Sequence, residues 1–151
     1  MKRYISIFAI LLTSCTNNSD VLKYPETGNN PFILKLIVSD FSMSYSLKYE
    51  MANLQYKITL INGLEGERDS VIYSQTLPNN QTVQKILNLN LFRLQNKYEN
   101  QLVEDGTRLT IIFIINKRAK IISVNNVFQK DIGQLIGFMN DITPTIYQIK
   151  Y

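Results

Sequence analysis

From Phe32 onward apolar and polar residues alternate, and the alternation marks out strands. Phe32, Leu34, Leu36 and Val38 fall on one side of an extended segment, and Met43, Tyr45, Leu47 and Tyr49 on one side of the next. Leu54, Tyr56, Ile58 and Leu60 repeat the pattern against Gln55, Lys57 and Thr59. A period of two is that of a strand with one buried face. The stretch GLEGERD, Gly63 to Asp69, predicts a turn, and Ser70 to Gln75 a fourth strand returning as its hairpin partner. After Pro78 and Asn79-Asn80 the period changes. Val83, Ile86, Leu87 and Leu91 recur at helical spacing, with Pro78 placed where a helix start needs no amide donor.

The second half repeats this order. Phe92 to Arg108 is irregular and predicts a surface crossing ending near the Asp105-Gly106 turn. Leu109 to Ile115 is apolar at consecutive positions, which predicts a mid-sheet strand buried on both sides, since at an edge it would recruit other chains. A partner strand follows Asn116-Lys117. Asn126 to Gln129 has the form of a capping box with Asn in place of Ser or Thr. Phe128, Ile132, Leu135, Ile136, Met139 and Ile142 then form a helical stripe that Pro144 ends, and Ile146, Tyr147, Ile149 and Tyr151 predict a last short strand. The expectation is an α+β fold: an antiparallel β-sheet with two helices packed on one face, built as a strand-strand-helix pseudo-repeat in a single domain, residues 31–151.

The first thirty residues follow neither period. Lys2 and Arg3 precede an apolar run from Tyr4 to Leu12 and the small residues Thr13 and Ser14, the order of a secretory signal. The run is far shorter than the roughly 20 residues that span a bilayer. The only cysteine, Cys15, stands where it ends. Leu12-Thr13-Ser14-Cys15 resembles the lipobox of bacterial lipoproteins. The resemblance implies cleavage between Ser14 and Cys15, a diacylglyceryl group on the Cys15 thiol and acylation of the new amine, so that Cys15 is an anchor and not a nucleophile. Two or three acyl chains hold a protein to a membrane where one holds it marginally. Residues 1–14 are then a signal peptide, and 15–30, polar with Pro25 and Gly28, a lipidated flexible tether. The short leader looks like those of the Bacteroidetes group, with low-GC Gram-positive bacteria as the alternative. The segment from Leu77 to Ile142 resembles small uncharacterised bacterial lipoproteins, a likeness that carries no activity with it. Asp20 is the one acid near Cys15, unlike the acidic runs of surface-exported lipoproteins, so the outer membrane, facing the periplasm, is the expected location.

Composition changes this picture only by exclusion. Loss of Lys2 and Arg3 lowers the formal charge from +4 to +2, and the remaining cations are scattered singly, which leaves no footprint for nucleic acid. With no histidine and Cys15 acylated, neither a Ser-His-Asp or Cys-His mechanism nor a His- or Cys-based zinc site can be built from one chain. Paired carboxylates occur at Glu104-Asp105 and at Glu65, Glu67 and Asp69, beside glycines in expected turns. Solvent there gives no reason for the raised pKa a glycosidase acid needs. Tyr45, Tyr49, Tyr56 and Tyr73 share the phase of core residues, whereas Tyr98, Tyr147 and Tyr151 are candidates for exposed contact. Gly133 and Gly137 lie off the apolar stripe and either mark a face where another helix or a partner comes close or simply cost the helix about 1 kcal/mol each relative to alanine.

These readings describe a lipid-anchored envelope protein that binds a protein or envelope component without catalysis and without cofactor or metal. An inhibitor or immunity-type protein is the alternative among binders, and a carboxylate-only enzyme such as a glycosidase the alternative outside them.

Overall fold

The computed structural model describes residues 32–40, 44–62, 68–100, 102 and 106–151. The expected leader, Ser14, Cys15 and the tether lie outside them, as do Glu65, Glu67, Glu104 and Asp105. The described residues form an α+β fold with one mixed seven-stranded sheet. Its strands are β1 (Ile33–Asp40), β2 (Tyr45–Ala52), β3 (Gln55–Asn62), β4 (Ser70–Thr76), β5 (Lys97–Glu99), β6 (Thr107–Ile115) and β7 (Arg118–Asn125). The helices are α1 (Gln81–Asn88) and α2 (Lys130–Asn140).

The order across the sheet is β4-β3-β2-β1-β6-β7-β5. Hairpins build the two wings, and β1 joins them by pairing antiparallel with both β2 and β6. Local chemistry sets the turns. Asn116 and Lys117 both take positive φ, 51° and 63°, as a two-residue hairpin link between twisted strands requires. Asn53, at φ 53°, turns β2 into β3, and its backbone amide donates to the Phe32 carbonyl at 2.9 Å.

Much of the alternation faces as its spacing predicts, although Tyr45 is exposed, Val38, Leu47, Leu54 and Leu60 are half-buried, Thr59 on the polar side is buried, and Met43 lies outside the described residues. Phe32, Leu34, Leu36, Tyr56 and Ile58 are buried, as are all four helical-period residues Val83, Ile86, Leu87 and Leu91. They form one cluster with Ile132, Leu135, Ile136 and Met139 of α2. Tyr49 and Tyr56 belong to this core and tie it to the chain beyond α2. The Tyr49 hydroxyl donates to the Tyr147 carbonyl at 2.8 Å. The Tyr56 hydroxyl lies 2.6 Å from the Thr143 hydroxyl, which itself donates to the Met139 carbonyl at 2.7 Å. Burial pushes the Tyr49 phenol up to about 12. Burial also raises Tyr56, against the opposing hydrogen bond with Thr143.

Several expectations are corrected. The sheet is not wholly antiparallel: the irregular crossing contains β5, which pairs parallel with β7. Its three residues are too short to show a period. β6 is central in the sheet, but only Leu109, Ile111, Phe113 and Ile115 are buried, while Thr110, Ile112 and Ile114 are half-buried. Among the described residues neighbouring strands shield that face, because Ile112 stands between Lys35 and Ile121 and Ile114 between Ile33 and Ala119. The last expected strand is instead a 3-10 turn, Thr145–Tyr147, followed by extended chain. The capping box is also displaced. Asn126 takes left-handed φ at 52° and lies outside the helix, and Gln129 is the N-cap, its side-chain oxygen accepting from the Ile132 amide at 2.7 Å.

Candidate functional site

Where β6 begins and β7 ends, the chain between β7 and α2 meets the C-terminal segment. The displaced helix start decides what happens there. Because α2 begins only at Lys130, Phe128 falls on an extended link and leaves the stripe in which its spacing had placed it. It is 73 % exposed, although a phenylalanine gains most by burial.

Phe128 is held in place from several sides. The Tyr151 ring lies 5.6 Å away, tilted by 36°. The Tyr151 hydroxyl donates to the Val127 carbonyl at 3.1 Å and accepts from the Gln129 amide at 3.0 Å, which brackets Phe128. Burial raises the Tyr151 phenol, against the hydrogen bond from Gln129. Gly133 supplies the floor: a Cβ there would come within 3.0 Å of the Phe128 ring. The close neighbour at Gly133 is this chain's own Phe128 ring and not the helix or partner expected there. At Gly137 an added Cβ would meet nothing.

The segment carrying Tyr151 is tied back along α2. Asn140 donates through its side-chain amide to the Ile149 carbonyl at 2.9 Å and accepts from the Ile149 backbone amide at 2.9 Å, a two-bond clamp. Ile149 is buried beneath it. The tail that carries Tyr151 is thus fixed at both ends of the helix.

Two depressions adjoin at this pair. The first, about 440 Å³, is lined by Leu109, Val124, Val127, Phe128 and Tyr151, with Thr107, Asn126 and Lys150 as its polar members. That volume is in the range of small-molecule sites. The second, about 390 Å³, runs along the outside of α2 past Gly133, Gly137 and Asn140. Among the described residues no acidic side chain lines the first and Lys150 has no ion-pair partner. Gly106 shapes its rim. It takes φ 147°, and a Cβ there would stand 2.0 Å from the Asn126 side-chain oxygen, so the Asn126 side chain closes over this glycine.

Chemically the first depression offers an apolar aromatic wall, the hydroxyls of Thr107 and Tyr151, one amide and one cation. This is contact chemistry: it can seat an apolar group and neutralise a nearby anion. Of the tyrosines expected to make exposed contacts, Tyr151 reaches this site, while Tyr98 and Tyr147 are half-buried against the core. Tyr45 is exposed and Tyr73 half-buried, its ring edge-on to Tyr56 at 6.2 Å. Asp69 is exposed. No group of three His, Cys, Asp or Glu among the described residues could hold a metal ion, and no helix among them is long and apolar enough to cross a membrane. The chain matches no protein-family model, and no curated protein matches it.

Proposed function

We propose that this protein is a non-catalytic binding protein of the bacterial envelope, anchored by lipid on Cys15 after cleavage behind Ser14, with its domain at the outer membrane facing the periplasm. In this reading both helices lie on one face of the sheet as a strand-strand-helix pseudo-repeat, which the single core cluster supports. The ligand occupies the depression beside Phe128 and is the part of a protein or envelope component that presents an apolar, preferably flat, group with an anionic group beside it. One observation carries the reading: an exposed phenylalanine is held in a fixed pose by Tyr151 and Gly133, next to the cation of Lys150. A ring held rigid before contact loses little entropy on binding.

Anilinonaphthalene sulfonate, an apolar ring system with one anionic group, is a direct probe. Its fluorescence titration with the parent should show a saturable site. Phe128→Ala and Lys150→Glu should each weaken binding about tenfold or more, equivalent to about 1.4 kcal/mol. Equal binding by all three proteins would remove the site. For the anchor, Cys15→Ala should abolish incorporation of a fatty-acid label, and label retained by that variant would overturn the lipoprotein reading.

A further inference from the structure

The face of the sheet opposite the core carries an ordered grid. Cross-strand register aligns Lys57, Glu50, Lys35, Ile112 and Ile121 in one row. On one side of it run Gln55, Ala52, Ile33, Ile114 and Ala119, and on the other Thr59, Lys48, Ile37, Thr110 and Ser123. Five isoleucines therefore cluster over β1, β6 and β7 beside three lysines on β1 to β3. Antiparallel sheets that face water ordinarily place polar residues outward. Here Ile121, on the outer strand of the apolar half beyond the reach of β5, is 58 % exposed, and Ile33, Ile37, Ile112 and Ile114 are half-buried.

The charges are unbalanced in one direction. Glu50 is the single acid of these three rows and is already held by Lys35 at 3.3 Å and Lys57 at 3.2 Å. Burial alone would raise its carboxyl, but the two ammonium groups outweigh burial and hold it below its ordinary value. Three cations against one committed anion leave the face positive, so a second copy laid on it would bring like charges together.

We propose that this face rests on an anionic lipid bilayer, its isoleucines set at the headgroup boundary and Lys35, Lys48 and Lys57 against lipid phosphates. The inference rests on the Cys15 anchor, because residues 15–30 alone would then separate lipid from domain and the bilayer becomes the nearest large surface. Tethering raises the effective concentration, so a weak face suffices. Each lysine near an anionic leaflet adds to the attraction. Leu109 and Val124, which line the Phe128 depression, belong to the opposite face of the sheet. Docked in this way, the protein presents that depression away from the membrane.

The test uses the full chain, purified from the membranes of producing cells and reconstituted into vesicles of phosphatidylethanolamine and phosphatidylglycerol. Cys15 is the only native cysteine, so acylation leaves a thiol introduced by Ile121→Cys as the only free one. Asn88→Cys, at an exposed position of α1, is the control. Each is labelled with an environment-sensitive nitrobenzoxadiazole fluorophore and titrated with iodide. Expected are a blue-shifted emission and several-fold weaker quenching at position 121 than at 88. The difference should be lost when Lys35, Lys48 and Lys57 are all changed to Gln or when the vesicles carry only zwitterionic lipid. Uptake of label by the parent would show a free Cys15 and overturn the anchor and the proposal with it. With the parent unlabelled, equal quenching at the two positions overturns the docking face alone. Protection that follows protein concentration instead of lipid would assign the face to a second copy. Protection found on native membranes but not on pure lipid would assign it to an acidic protein, and either result overturns the bilayer proposal.

Discussion

Phe113→Ala puts the one-sided core to a quantitative test. Phe113 is 1 % exposed in the middle of β6, between Leu34 of β1 and Lys120 of β7. Its ring meets Phe32 edge-on at 5.9 Å and Phe92 at 5.2 Å. Truncating a buried phenylalanine costs about 3 to 5 kcal/mol, and each aromatic contact accounts for about 0.5 to 1.5 kcal/mol beyond area. The rings of Phe32 and Phe92 border the vacated volume on a hydrogen-bonded sheet, so little collapse is available and the upper half of the range applies. Against a total stability of about 5 to 15 kcal/mol this is a large fraction. With a urea slope of about 2 kcal/mol/M, the midpoint should fall by about 2 M. Ile112→Ala, next along the strand but on the half-buried face, should cost no more than about half as much, since it leaves a surface notch in place of a cavity. Urea melts followed by circular dichroism compare the two. The double variant Phe92→Ala with Phe113→Ala should show about 0.5 to 1.5 kcal/mol of coupling. If Ile112→Ala is as damaging as Phe113→Ala, the second face is covered and the account of β6 is wrong. A Phe113→Ala melt that matches the parent would remove the core as described.

Two further predictions concern pH and glycine. Above pH about 10 the unfolded chain loses its tyrosine protons while Tyr49, raised to about 12, keeps its own, so the unfolded state binds fewer protons and stability falls. The fall should be about 1.4 kcal/mol per pH unit for this residue between pH 10 and 12, with no such loss below pH 10, and Tyr49→Phe should flatten the slope in melts across that window. Gly106→Ala and Gly137→Ala should move stability in opposite directions. The first forces a side chain to φ 147° and into Asn126 and should cost at least about 1 to 3 kcal/mol, whereas the second meets open space in a helix and should gain up to about 1 kcal/mol. Thermal melts read both signs, and a stabilising Gly106→Ala would mean that the Asn126 contact is wrongly drawn.

The site was only partly legible. Tyr151 could be picked out as an exposed contact because it lies outside any strong period. Phe128 was lost because its distance from Ile132 suits a helical face, and periodicity cannot report where a helix begins. The signal lay in Gln129 and Ile132, three apart as a cap and its amide are, and in the glycine at 133 that leaves room for a ring. Neither is distinctive without coordinates.

The sequence by itself determined which side of β1 and of β3 faces inward. Side-chain direction alternates with the covalent backbone, so Phe32, Leu34 and Leu36 or Tyr56 and Ile58 can be read without knowing their neighbours. It also determined the turn at Asn116-Lys117, whose left-handed backbone is a local property. Only the tertiary structure decided that β1 lies between β2 and β6, that β5 runs parallel to β7, and that Ile112, Ile114 and Ile121 meet on an open face. Those outcomes depend on which strands become neighbours across long stretches of chain. An isoleucine facing a second layer and one shielded only by adjacent strands have the same local pattern, and packing alone distinguishes them.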